Sequence, residues 1–303
     1  MMYIGITITP HAYTPEAYAY KKFLETHGHQ VQLDVASNLA PDNHVNIYFL
    51  GIKSKKSAGK AKEIHEYQSL STPSFPRIKN FTKSIINCKP DGRIFLNSTV
   101  EKNFFFTDKI PKIYRDMGVD DAFFQKPSEN PDFDIVYCGS FSGRHGLQNE
   151  ILRLHEIGFR LCLIGDIPSD FKKIIKNKKN IHLTGRLSRE KIPQYYKNSL
   201  AGLNYTPDLY PFNIQTSTKT LEYLASGLIC ISNRYNWSIN FSNKTNNEFI
   251  WVENIKKIDD LYRRKFDTIS IDNYKWENIL NNINFLSYLD NIVQEKFLTP
   301  FEK

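Results

Sequence analysis

Between residues 134 and 252 the chain alternates short apolar runs with stretches of helical periodicity, and that alternation leaves few folds open. The runs at 134–139, 159–164, 181–184, 203–205 and 228–232 have the length and content of strands, and 249–252 adds a further one. Helical stretches separate them at 147–157, 171–176, 188–197, where Ser188 can cap, and 216–227. Strands and helices that alternate this regularly need crossover connections, which are right-handed and build one parallel sheet covered by helices.

The last of these helices is the most sharply bounded. Thr216 or Ser217 offers a side-chain oxygen to the first free N–H groups, and Gly227 can take the left-handed conformation that ends a helix. Leu221, Leu224, Ala225 and Leu228 recur at helical spacing and are expected to face the core, whereas Lys219, Glu222 and Ser226 share a polar face. A polar face beside a helix N-terminus suits an anion, because unpaired N–H groups and the helix dipole both attract negative charge.

The first half repeats the alternation less cleanly. Strands are expected at 3–9, 31–35, 45–50, 64–67 and 93–97, with helices at 15–27, closed by Gly28, and at 77–87. Residues 112–134 carry few periodic apolar positions, and the turn-rich run from Pro127 to Pro131 marks a domain boundary. The expected architecture is α/β, with two Rossmann-like parallel-sheet domains facing a central cleft. They span 1–126 and 132–272, and a helical segment at 273–303 is expected to pack back on the first domain. A length of 303 residues suits two domains of roughly 150 each. With 41% hydrophobic and 14% aromatic residues, the chain has the material for such cores.

The net charge of +8 favours anionic partners without choosing among them. Two lysine clusters stand out, Lys53, Lys55, Lys56, Lys60 and Lys62, and then Lys172, Lys173, Lys176, Lys178 and Lys179. Solvated surface and contact with an anionic membrane both fit them. Cys88, Cys138, Cys162 and Cys230 are widely spaced and lack metal-binding spacing, which points to free thiols in a reducing compartment. The N-terminal residues lack the charged start and long apolar centre of a signal peptide, and no run approaches the ~18 apolar residues of a membrane span.

Parallel α/β sheets bind ligands beyond the carboxyl ends of their strands. In the second half those ends carry the segment from Gly139 to Gly146, then Gly165 with Asp166, Gly185 with Arg186, and the loop at 206–216. Gly139, Gly143 and Gly146 miss the dinucleotide fingerprint because the first gap is two residues too long, although Asp166 lies where a ribose-binding acid would stand. Asp132 and Asp134 have the D-x-D form of some metal-dependent sugar transferases, but they sit at a strand entry. The phosphate-binding P-loop, the nucleophile elbow, the H-E-x-x-H metal motif and the aromatic motifs of nucleic-acid modules are missing from the sequence.

These residues resemble the nucleotide-binding domain of GT-B glycosyltransferases, specifically glycosyltransferase family 4, also called group 1. The segment from Ser217 to Leu228 is similar to the family's P-x-K-x-x-E-Y-x-A-x-G-x pattern. Tyr137 to Ser140, Arg144 to Gly146, Leu163 to Gly165 and Gly118 to Asp120 support it. The resemblance covers about 134–233 and extends loosely over 1–124. It implies a nucleotide-diphosphate sugar donor on the second domain and an acceptor on the first. The glutamate matching Glu222 holds the donor ribose in that family, and the loop with Arg144 and His145 supplies cations to the diphosphate. Backbone amides before the helix cradle the same group, so no metal is required.

Two positions depart from the family. Its first glutamate, eight residues before Glu222, is Ile214 here, with Asn213 or Gln215 as a substitute. Ser140 follows Gly139 where the family has arginine, and His145 stands for lysine, so phosphate neutralisation rests more on Arg144 and Lys219. Gly139, Ser140, Gly165, Arg186, Asn213, Ile214, Gln215, Thr216, Ser217 and Thr218 complete the expected donor site, and His11 and His65 are the acceptor-side catalytic candidates. The expected activity is retaining, metal-independent and cofactor-free sugar transfer from a UDP-sugar, in preference to a GDP-sugar, to a glycan or lipid-linked acceptor. Surface polysaccharide or glycoconjugate synthesis at the cytoplasmic face of the membrane is the expected setting. A nucleotide-sugar epimerase and an inactive sugar-nucleotide-binding protein are the alternatives, and nucleic acid is not an expected partner.

Overall fold

A computed structural model describes residues 1–9, 14–49, 51–72, 74–262 and 269–295. The chain divides into two compact units, Met1–Asp120 with Asn273–Lys303, and Asp121–Asp272.

The first unit holds β1 (Tyr3–Thr7), α1 (Pro15–Thr26), β2 (Gln30–Asp34), β3 (Val45–Phe49), β4 (Lys62–Tyr67), α2 (Pro76–Ile86), β5 (Gly92–Phe95), α3 (Ser98–Lys102) and β6 (Lys112–Tyr114). Its six strands pair in parallel in the order β2-β1-β3-β4-β5-β6. Ile4, Ile6, Ile47, Ile64 and Ile94 have no exposed surface and form its centre. The short helix α3 and the edge strand β6 are additions to the sequence reading. Helix α3 is set by Asn97, whose side chain accepts from the Val100 N–H at 2.9 Å. Strand β6 offers only the half-buried Ile113 as an apolar signal, too little to stand out as a period.

The second unit holds β7 (Phe133–Cys138), α4 (Leu147–Ile157), β8 (Leu161–Ile164), α5 (Ser169–Ile175), β9 (Ile181–Gly185), α6 (Ile192–Lys197), β10 (Ser199–Asn204), α7 (Thr218–Ala225), β11 (Ile229–Ser232), α8 (Asn236–Thr245), β12 (Ile250–Trp251) and α9 (Asp259–Tyr262). Its strands are again parallel, in the order β12-β11-β10-β7-β8-β9. The first strand therefore lies in the middle, and the chain winds outward in one direction and then in the other. The direction reverses between β7 and β10, where the diverging connections open a crevice at the carboxyl edge. The expected α/β fold with two Rossmann-like sheets is present.

Strand β10 begins four residues before the expected run because its small residues hide it. An added Cβ at Gly202 would lie 2.2 Å from Cγ of Tyr223 on α7, so the helix packs against bare backbone there. Helix α4 buries Leu147, Ile151 and Leu154, one i, i+4, i+7 stripe, against the core formed with Ile135, Tyr137 and Leu161.

Two further helices, α10 (Trp276–Asn282) and α11 (Phe285–Val293), return to the first unit. Tyr20 of α1 meets Phe285 at 4.8 Å and the edge of Trp276 at 6.1 Å. The Tyr288 hydroxyl donates to the Arg93 carbonyl at 3.0 Å.

Candidate functional site

Helix α7 forms where its caps dictate. Ser217 accepts from the Thr220 N–H at 3.3 Å. At the other end Gly227 takes φ +68°, while the N–H groups of Leu228 and Gly227 reach the carbonyls of Tyr223 and Leu224 at 3.0 Å each. Of the polar face expected of this helix, only Lys219 keeps part of its side chain exposed. Thr220 to Ala225 are all buried, and Ser226 donates to the Phe123 carbonyl at 2.9 Å.

Glu222 is fully buried. Its carboxylate accepts from Arg189 Nη1 at 2.8 Å, from Lys219 Nζ at 2.7 Å and from the Tyr196 hydroxyl at 3.3 Å. Burial pushes its pKa up, but the charges of Lys219 and Arg189 outweigh this and hold the carboxyl below its usual range. Burial lowers and Glu222 raises the Lys219 pKa, and the net shift is upward. The group is an ionised knot in which one carboxylate holds two cations. Arg189 and Tyr196 were absent from the sequence reading, because only tertiary packing brings α6 and the turn before it against α7.

The remaining candidates of the second unit lie along the carboxyl edge of its sheet. Arg144, in the loop after β7, donates to Thr206, in the loop after β10, at 3.0 Å, and its guanidinium lies 5.7 Å from the Phe212 ring. Gly139 and Gly165 end β7 and β8, and an added Cβ at Gly165, whose φ is +143°, would meet the Gly139 carbonyl oxygen at 2.2 Å. Ser140 arranges the same loop, its carbonyl accepting from Tyr137 at 2.7 Å and its hydroxyl from the Ser142 N–H at 3.1 Å. Asn213, Ile214, Gln215, Thr216, Ser217 and Thr218 are half-buried in the approach to α7. Asn213 donates to Asp208 at 2.9 Å, and Ser217 donates to Asn204 at 3.0 Å. His145 and Arg186 are exposed. Asp134 accepts from Arg160 and Tyr262, so the D-x-D aspartate at the strand entry is a packing residue.

The first-unit candidates fare differently. His11 lies outside the described residues. His65 sits in β4 with no exposed surface, its Nε2 at 3.4 Å from Glu63, and burial lowers its pKa. A ring without surface cannot meet an acceptor in this structure, so the catalytic expectation for His65 gives way to a packing role. Glu63, His65 and Cys88 place ligand-type atoms within 4.8 Å of one another. Lys53 at 3.1 Å and the Ser57 N–H at 2.5 Å already satisfy Glu63, so the cluster is balanced without an ion.

No protein-family model and no curated protein matches the chain. Solved structures do. A glycosyltransferase involved in avilamycin A biosynthesis is 13% identical with a TM-score of 0.61, over 97% of this chain and 98% of its own. Sucrose-phosphate synthase from Thermosynechococcus elongatus is 12% identical with a TM-score of 0.59, over 98% of each chain. HepE from Anabaena, in complex with UDP and glucose, is 12% identical with a TM-score of 0.57, over 97% of this chain and 93% of its own. Identity this low speaks for the fold alone, and the fold of this chain is that of the GT-B glycosyltransferases.

Proposed function

We propose that this chain is a glycosyltransferase that takes a sugar from a UDP-sugar, with retention and without a metal, to a glycan or lipid-linked acceptor. The second unit would hold the donor and the first unit the acceptor. The observation that carries this reading is the convergence of Arg144, the Gly139–Gly165 approach and the capped start of α7 at the switch point of the second sheet. The first N–H groups of a helix lack intrahelical partners, and beside a guanidinium they suit a diphosphate. HepE has been solved with UDP-glucose, which supports uridine as the base.

Glu222 has no surface of its own in this structure, so a ribose would reach its carboxylate only by displacing a present partner. Arg189, mostly buried against Glu222 Oε1, is the partner the ribose hydroxyls would replace, freeing a guanidinium for the diphosphate. Catalysis would come from cations and N–H groups that stabilise charge on the departing diphosphate. The Ile214 side chain cannot hydrogen-bond the donor sugar, which favours one rival, a protein that binds sugar nucleotides without turning them over.

Titration calorimetry with UDP tests the reading. Glu222→Gln is expected to weaken binding at least tenfold while the chain stays folded, and unchanged affinity would remove Glu222 from the donor site. Transfer from UDP-sugars across an acceptor panel decides between enzyme and binder. Surface polysaccharide or glycoconjugate synthesis at an anionic membrane face is the setting that fits a net charge of +8.

A further inference from the structure

Helix α2 is amphipathic in the wrong sense for a helix that belongs to a water-facing surface. Its one fully buried residue is Asn80, whose side chain accepts from the Ser71 N–H at 3.0 Å. Next to it, the Ser84 hydroxyl donates to the Asn80 carbonyl and accepts from the Phe105 N–H, each at 2.9 Å. The polar side thus anchors the helix inward.

The apolar side faces out. Ile78, Phe81 and Ile85 follow i, i+3, i+7 spacing and are 62%, 47% and 66% exposed. Phe75, which precedes the helix, is 72% exposed and holds a φ of +57°, a conformation a bulky residue seldom adopts. Phe105 extends the patch, its ring edge-on to Phe81 at 5.3 Å. At 100° per residue, Lys79 lies beyond one edge of this stripe and Arg77 beyond the other, and both are exposed. No acidic residue occurs between Glu66 and Asp91.

A helix with an outward apolar stripe between cationic flanks is built to lie in a membrane interface, with its apolar side among acyl chains and its cations at lipid headgroups. The geometry points to α2, with Phe75 and Phe105, as the surface by which this chain docks on an anionic bilayer. This deepens the membrane contact proposed above and moves it to a different surface. In the first lysine cluster, Lys53 pairs with Glu63, Lys56 with Asp91 and Lys62 with Glu295, so much of that charge is compensated. Among the described residues no helix is long and apolar enough to cross a membrane, so the contact is one of lying on the surface.

Flotation of the full chain with vesicles tests this, using phosphatidylcholine alone and phosphatidylcholine with about a third phosphatidylglycerol. The native chain is expected to float with the anionic vesicles and to be released by salt. The triple change Ile78→Ser, Phe81→Ser, Ile85→Ser is expected to lower binding at least tenfold, as is Arg77→Glu with Lys79→Glu. These side chains are at the surface, so thermal melting and UDP affinity should stay as in the native chain. Absence of native binding, or variants that float as well as the native chain, would overturn the proposal. So would a drop from dimer to monomer in the serine variant, seen by sedimentation, because the patch would then belong to a second copy. Vesicle binding without UDP binding would leave the docking surface standing and remove the donor reading instead.

Discussion

Glu222 ties two cations to α7 from inside the second unit, which makes it a test of how much such a knot contributes to folding. Replacing it with alanine would strand the mostly buried Arg189, and breaking a buried pair in this way costs ~3–5 kcal/mol. Glu222→Ala is therefore expected to lower the denaturant midpoint much more than Glu222→Gln, which keeps the side-chain volume and one acceptor. Equal midpoints for the two variants would show that the knot contributes little. Glu63 makes a second residue-scale case. Burial pushes its pKa up, but His65, the Ser57 N–H and Lys53 bring it down from 4.5 to about 2. Its folded pKa is depressed, so its contribution is complete above about pH 4.5 and fades as pH falls toward 2. At ~1.4 kcal/mol per unit the contribution is about 3 kcal/mol. Stability followed by urea unfolding should fall less steeply with acid in Glu63→Gln than in the native chain.

At the scale of elements, α7 was the most legible part of the sequence because its ends are chemical. Ser217 and Gly227 behave as caps whatever packs around them, and Leu221 and Leu224 face inward as their spacing requires. Burial of the opposite side was not legible, since Glu222 and Ser226 look like surface residues until Arg189 and the Phe123 carbonyl are placed against them. Which side of α2 faces inward was not legible either, for periodicity shows that one side is apolar and does not tell whether that side faces in. His65 was misjudged for a related reason: a histidine in a strand gives no sign of which face it is on. Where β10 meets α7, Gly202→Ala places a methyl group into the Tyr223 ring, and overpacking of this kind costs ~1–3 kcal/mol. Thermal melting should report that loss, and an unchanged midpoint would mean the helix can back away from the sheet. Ser217→Ala removes the cap of the same helix and is expected to cost ~1 kcal/mol in the same assay.

For the whole molecule, the sequence patterns and the fold agree on two parallel sheets. The doubly wound order of the second sheet explains why scattered segments at 139–146, 165, 206 and 213–222 meet. A ligand that binds only the folded state adds stability by mass action, ~2.7 kcal/mol at a hundred times its dissociation constant. In a thermal-shift screen, UDP and UDP-sugars are expected to raise the melting temperature more than GDP or CMP does. A larger shift with GDP would change the base assignment and leave the location of the site intact.

The chain leaves the first unit at Asp120 and returns to it at Asn273, and this route sets an order of assembly. On the ribosome the second unit has all its residues as soon as position 272 has emerged. The first unit must wait, because Trp276 covers Gly118 and Tyr288 closes over Arg93 from the far end of the chain. A chain stopped near residue 272 would therefore leave its opening half unfinished and its later half complete, so damage at the C-terminus would be felt first by the N-terminus.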